Sequence, residues 1–218
     1  MVNANELLDM LKKARERTEK KKFNQSVELI VTLKDIDVKK GFALNEVVNL
    51  SHPASTKSTV CIVGSGDLAL RARKANADRV IEAEELDRIG TNKKEAKKIV
   101  REYDFFLADT SLMPAVGRAL GQYLGPRGKM AAPIQFNAPI ETLLERFRAS
   151  VRARTKGQLT VSCKIGDESM SDQDLANNVL AVLGALEKKL PVGEKNVKGL
   201  IVKLTMGKTV KLAEVKVA

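Results

Sequence analysis

Two kinds of hydrophobic pattern occur along this chain, and their order limits the folds open to it. Between residues 23 and 33 the apolar positions alternate. Phe23, Val27, Leu29, Val31 and Leu33 share one parity, where only Gln25 is polar, while Asn24, Ser26, Glu28 and Thr32 share the other with Ile30. Period-two alternation marks a strand with one buried face. Residues 59–63 form instead a continuous apolar run, the pattern of a strand covered on both faces. Another buried strand is read at 104–109, apolar from Phe105 to Ala108, and helical stretches at 67–76, 84–89, 93–101, 111–123 and 140–148 separate the short strands. Buried strands alternating with helices are βαβ units, and these build a parallel sheet.

Alternation returns at 158–165, 197–204 and 209–217, around a long helix that Ser171 caps and that runs to about residue 190. An amphipathic helix over residues 5–20 opens the chain, its stripe made by Leu7, Leu8, Leu11 and Ala14. The first and last thirds thus share one grammar and the middle third has another. The expected fold class is α/β with two domains. A discontinuous domain, residues 1–58 plus 151–218, places helices on a mainly antiparallel sheet. A Rossmann-like parallel-sheet domain, residues 59–150, is inserted into it. The polar passages at 51–58 and 152–156 read as a double hinge.

Charge favours the discontinuous domain as the binding part. The chain carries 38 Lys and Arg against 27 Asp and Glu, a net charge of +11. Residues 59–150 hold 15 basic and 12 acidic residues, leaving 23 and 15 for the rest. A basic excess points to a polyanion, nucleic acid before a membrane surface. No apolar run approaches the ~20 residues of a membrane span, and the start lacks a signal-peptide pattern. Aromatic residues make up 4% and Trp is absent, which disfavours single-strand stacking platforms and suits a reader of folded nucleic acid. Cys61 and Cys163 sit in apolar strands without companion ligands and read as buried free thiols of a reducing compartment.

Four stretches carry possible chemistry. The polar ridge Asn24, Ser26 and Glu28 follows the three lysines 20–22; alone it is a solvated edge strand, and beside a second basic strand it becomes a binding surface. That second strand is offered by Lys203-Leu-Thr-Met-Gly-Lys208, where Gly207 permits a tight turn exposing Thr205 and Met206, unless it is a plain hairpin. Gly64-Ser-Gly66-Asp-Leu-Ala69 satisfies the G-x-G-x-x-A form of the dinucleotide fingerprint, with Glu82, Glu84 and Glu85 near the ribose-binding position. Asp67 there would repel a pyrophosphate. Gly125-Pro-Arg-Gly-Lys-Met130 sets Arg127 and Lys129 on a loop that is either phosphate-touching or a solvated connection. For catalysis, His52 stands before Pro53 without an evident partner, and no acid–base set or metal-ligand cluster is legible.

Phe23-Asn-Gln-Ser-Val-Glu28, Gly125-Pro-Arg-Gly-Lys-Met130 and Lys203-Leu-Thr-Met-Gly-Lys208, in that order and with the split-domain plan, resemble the signature segments of the L-one ribosomal protein family, the first protein of the large subunit. The short N-terminus and residues 121–126 look archaeal. The resemblance implies a non-enzymatic, cofactor-free and metal-free protein, monomeric off the ribosome and cytoplasmic. It would bind a folded site on large-subunit rRNA, form the mobile stalk near the exit-site tRNA, and bind and repress its own mRNA. The implied RNA surface is Lys22, Phe23, Ser26 and Glu28 with Lys203, Thr205, Met206, Gly207 and Lys208. Lys164 and Gly166 stand at its rim, and Arg127 and Lys129 form a secondary contact loop. Glu28, Ser26 and Thr205 can accept from ribose 2′-hydroxyls, which would favour RNA over DNA. The alternative is a nucleotide-dependent enzyme built on the inserted domain.

Overall fold

Alternation at residues 26–33 becomes β1 (Ser26–Leu33), in which Val27, Leu29, Val31 and Leu33 are buried and the intervening residues face outward. The computed structural model describes residues 3–36, 42–135, 138–155 and 157–213. The chain divides into two compact units, Met1–Thr56 with Ala149–Ala218, and Lys57–Arg148.

The first unit contains α1 (Ala4–Glu16), β1 and β2 (Asn45–Asn49). Its remaining elements, β7 (Ser150–Arg154), β8 (Thr160–Asp167), α7 (Asp172–Glu187), β9 (Val197–Leu204) and β10 (Val210–Ala213), follow the second unit in sequence. Four strands form an antiparallel sheet in the order β10-β9-β1-β8, and β2 and β7 pair as a separate antiparallel ribbon. Leu7, Met10, Leu11 and Ala14 of α1 and Leu175, Val179, Val182, Leu183 and Leu186 of α7 meet the inner residues of β1, β8 and β9 in one core. Each such aliphatic side chain taken fully from water is worth about 1.5–3 kcal/mol. That core fixes which face of β1 points outward.

Three expectations change here. β1 is an interior strand between β8 and β9, so the edge-strand reading of its polar ridge falls. Residues 152–154, read as half of a hinge, belong to β7 and pair with β2, Asn45 opposite Arg154 and Val48 opposite Val151. Their basic side chains masked a strand whose inward residues are few. β8 extends to Asp167, past the alternation read at 158–165, so Gly166 lies within a strand. Residues 37–41, 136–137, 156 and 214–218 lie outside the described residues, among them the end of the alternating stretch read at 209–217.

The second unit comprises β3 (Val60–Val63), α2 (Gly66–Lys74), β4 (Arg79–Ile81), α3 (Ala83–Thr91), α4 (Lys93–Glu102), β5 (Phe105–Asp109), α5 (Met113–Leu124), β6 (Ala132–Ile134) and α6 (Ile140–Arg148). The four strands are parallel, in the order β4-β3-β5-β6. Cys61, Val63, Phe106 and Ala108 face a core shared with α3, α4 and α5, while Val60, Ile62, Phe105 and Leu107 face α2 and α6. With a helical layer on either side, every residue of β3 is buried, which is why its sequence is continuously apolar. Among the described residues no helix is long and apolar enough to cross a membrane.

Candidate nucleic-acid interface

Gln25 is the one polar residue in the buried parity before β1, and it is 0% exposed. Its side-chain oxygen accepts from the Met206 backbone N at 3.1 Å, and its amide nitrogen donates to Glu19 O at 3.3 Å. Its own carbonyl accepts from Glu168 N at 2.8 Å. The buried side-chain amide thereby ties the lysine-rich approach to β1 to the turn after β9, and the Gln25 backbone carbonyl adds the start of the β8–α7 connection. Buried polar groups are tolerated only with such partners.

The turn after β9 is pinned a second time. Thr205 N donates to Ser26 O at 3.0 Å. The Thr205 hydroxyl donates to the same oxygen at 3.2 Å and accepts from Ser26 N at 3.1 Å. Thr205 is exposed, yet the hydroxyl proton is engaged by the backbone of β1, so the side chain holds the turn against the strand. Met206, the next residue, is 65% exposed. Phe23 shares parity with the core residues but is 52% exposed, because β1 begins only at Ser26 and the pleat does not reach back to it.

Gly207 is not required by turn handedness, since the glycines with positive φ are Gly66, Gly128, Gly157 and Gly193. A Cβ at Gly207 would fall on the Thr18 hydroxyl, with Thr18 Cγ2 3.2 Å away. The turn therefore sits directly on the segment that follows α1, and Thr18 is fixed there by donating to Ala14 O at 2.6 Å.

On the outward face of the sheet, Glu28 stands opposite Lys164 of β8 and opposite Lys203 of β9. This gives a row of cation, carboxylate and cation across three strands. Lys203 Nζ lies 3.9 Å from Glu28 Oε2 and donates to Thr205 O at 3.1 Å. Lys164 Nζ lies 2.6 Å from Asp167 Oδ1. Asp167 is 2% exposed. Burial pushes its carboxyl up, but the Lys164 hydrogen bond and charge, with backbone N–H groups of Thr56 and Ser55, outweigh it and hold the group below the usual carboxylate range. Gly166 is demanded by packing, because a Cβ there would lie 2.5 Å from Leu175 Cδ2 and 2.6 Å from Met170 Sδ. Lys22 and Lys208 are exposed, one just before β1 and the other just after the turn that follows β9, where the start of β1 and the end of β9 lie side by side.

Residues 51–56 are held rather than loose. Asn178, fully buried in α7, accepts from His52 N at 2.9 Å and donates to His52 O at 2.7 Å and to Ile165 O at 2.8 Å. Arg15 secures the β8–α7 connection with bonds to Glu168 O and Met170 O at 2.6 Å and to Asp172 Oδ1 at 2.7 Å.

In the other unit the fingerprint has a structural explanation. A Cβ at Gly64 would collide with Leu68 Cδ2, and Gly66 has φ +55 at the start of α2. Asp67 pairs with Arg71 at 2.9 Å, Glu82 with Arg73 at 2.6 Å and Glu85 with Arg79 at 2.5 Å. Two of the three candidate ribose acids are thus held by arginines, and Glu84 is exposed in the first turn of α3. In the 125–130 loop, Gly128 adopts φ +66. Lys129 turns inward, donating to Tyr103 O at 2.7 Å and Val100 O at 3.3 Å, so it closes the end of α4. Arg127 remains exposed. Both cysteine thiols are pushed up to about 12 by burial, which leaves them unreactive.

The family described as Ribosomal protein L1p/L10e matches residues 11–208, a span that includes most of either half of the first unit and the whole of the second. The chain belongs to this family. Among its relatives, large ribosomal subunit protein uL1 of Cenarchaeum symbiosum (strain A) is 56% identical over 211 residues, covering 97% of either chain. The protein of the same name from Thermofilum pendens is 49% identical over 216 residues, 98% of this chain and 95% of the relative. That of Methanothermobacter thermautotrophicus is 39% identical over 208 residues. The family assignment read from residues 23–28, 125–130 and 203–208 therefore stands. What sequence reasoning missed is the scaffold behind those segments, namely Gln25, Thr18, Arg15 and Asn178. For Gln25 a signal existed, as the only polar residue on an otherwise apolar parity.

Proposed function

We propose that this chain is a structural, non-enzymatic component of the large ribosomal subunit that binds a folded site in rRNA through its first unit. The contact surface is the outward face of β1, β8 and β9 with the turn after β9: Lys22, Phe23, Ser26, Glu28, Lys164, Lys203, Thr205, Met206 and Lys208, with Gly166 and Gly207 allowing the close packing beneath. Its main support is the pinning of the Thr205–Met206 turn to Ser26 and Gln25. That pinning presents an exposed methionine among lysines on a backbone already ordered before binding, and preorganisation of this kind favours affinity. Met206 and Phe23 supply apolar area for ribose and base edges, the lysines supply phosphate contacts, and Glu28 and Ser26 accept from 2′-hydroxyls. Arg127 is the cation of the 125–130 loop left for an RNA contact.

On the same reading the chain stands in the mobile stalk near the exit-site tRNA. It represses translation of its own mRNA by offering this surface to a similar RNA fold, and is monomeric when off the ribosome. The sequence resemblance supports these three statements. The test replaces residues 57–148 by a short flexible linker. The two chain crossings are close: Leu50 N donates to Ala149 O at 3.1 Å in one unit and Ser58 N to Arg148 O at 3.1 Å in the other. The shortened chain should fold and keep its preference for a large-subunit rRNA fragment, and for the leader of its own mRNA, over unrelated RNA. A well-folded chain with no such preference would overturn the proposal.

A further inference from the structure

Helix α4 breaks local rules of helix electrostatics. At about 100° per residue, Lys93, Lys94, Lys97, Lys98 and Arg101 fall within an arc of roughly 140°. Ala96, Ile99 and Val100 occupy the opposite, buried side, and Glu95 and Glu102 lie between. All five cations are exposed. Lys93 and Lys94 stand in the first turn, where the helix dipole disfavours positive charge. Lys93/Lys97, Lys94/Lys98 and Lys97/Arg101 are like-charged i,i+4 pairs, which repel. Fold stability asks for none of this, and departures from local rules without a compensating contact mark functional positions.

Neutralisation is also uneven: most arginines of this unit outside α4 are paired, with Arg118 of α5 and Lys74 of α2 standing as exposed cations without an ion pair among the described residues. Elsewhere in this unit Arg71, Arg73, Arg79, Arg88 and Arg148 each hold an acid. Lys93, Lys94, Lys97, Lys98 and Arg101 hold none among the described residues. Of the two acids on the helix, Glu95 is taken by Arg88 at 3.4 Å and by Asn92 at 3.5 Å, and Glu102, four residues past Lys98, makes no ion pair among the described residues. Lys129 fastens the 125–130 loop to the end of α4, and two residues before it Arg127, likewise without an ion pair among the described residues, continues the positive surface. A unit with a small net excess of charge thus concentrates it on one helix face.

We infer that the outward face of α4, continued by Arg127, is a second RNA-binding surface, which holds the phosphate backbone of an RNA duplex without reading its sequence. Rows of cations about 6 Å apart along the helix suit a regular line of phosphates, and the face carries no aromatic or amide side chain that could read a base. The apolar side of α4 is enclosed in the core, so the helix has no face to lay into a bilayer. This surface is separate from the β1–β9 surface and acts in affinity and encounter rate rather than in choice of site.

The experiment uses the full chain carrying Lys93→Ala, Lys94→Ala, Lys97→Ala and Lys98→Ala together. Alanine is the strongest helix former, so α4 is retained, which urea unfolding verifies. Binding to a plain RNA duplex lacking any large-subunit feature is titrated from about 50 to about 200 mM salt. The plot of log K against log salt should flatten by about three units when each of the four lysines meets a phosphate, since each neutralised phosphate contributes roughly 0.7–0.9. Preference for the rRNA fragment over the duplex should stay as in the parent chain. Slopes that coincide with the parent's would overturn the inference, leaving α4 a solvated face. So would loss of binding to polyglutamate with an unchanged RNA slope, which would assign the face to an acidic protein. Because duplex slope and rRNA preference are read separately, failure here is distinguishable from failure of the β1–β9 surface.

Discussion

Replacing Gln25 by leucine tests whether the RNA surface is built by a buried amide. Leucine is close in size and suits an environment in which Gln25 is 0% exposed, so packing is largely kept. Two polar groups lose their partners, Met206 N, which is bound at 3.1 Å, and Glu19 O, bound at 3.3 Å. A buried group left unsatisfied costs about 1–3 kcal/mol. Both sites are only partly enclosed and leucine recovers some transfer energy, so the expected loss of stability is about 2–3 kcal/mol in urea unfolding. The bond from Glu168 N to Gln25 O is made by the backbone and survives. Affinity for the rRNA fragment should fall about tenfold, equivalent to ~1.4 kcal/mol, because the turn then presents Met206 correctly only a fraction of the time. The salt slope should not move, since no phosphate contact is deleted. If Gln25→Leu unfolds at the parent urea midpoint and binds rRNA as tightly as the parent, the amide does not organise the surface.

Gly207→Ala should destabilise the fold by about 1–3 kcal/mol through the clash with Thr18, and Thr18→Ala in the same chain should recover most of it, as read by thermal unfolding of the single and double variants. Met206→Ala should leave stability within ~0.5 kcal/mol, as an exposed site does, while weakening rRNA binding by about 1–2 kcal/mol from lost apolar contact. Thr205→Ala should do the reverse in part, lowering stability by about 1 kcal/mol because its hydroxyl bonds Ser26 in the folded chain. The Asp167 carboxyl is held below its ordinary range in the fold. Its contribution is therefore full above the unfolded value near 3.9 and is lost as pH falls through the lower folded value. Asp167→Asn should flatten the acid limb of the stability–pH curve below about pH 4, and an unchanged limb would remove Asp167 from the account.

Hydrophobic period decided the division of the chain without help from tertiary structure. Alternation at residues 26–33 and continuous burial at 60–63 are properties of strands with one covered face and with two, and burial is enforced residue by residue. The segments at 23–28, 125–130 and 203–208 likewise sufficed to assign the family. Tertiary structure alone decided what each residue in those segments does. Thr205 bonds β1, Lys129 closes α4, and Gly207 and Gly166 make room for Thr18, Leu175 and Met170. All these partners are remote in sequence, from 26 to 189 positions away, except Met170 and Leu175, which lie 4 and 9 residues past Gly166. A polar side chain's spacing along the chain says only that it can bond. Which donor or acceptor reaches it is set by the packing of elements that the local pattern does not encode. The strand β7 was misread because Ser150-Val-Arg-Ala-Arg154 offers only Val151 and Ala153 as apolar positions, an alternation too short to mark a strand until β2 lies beside it.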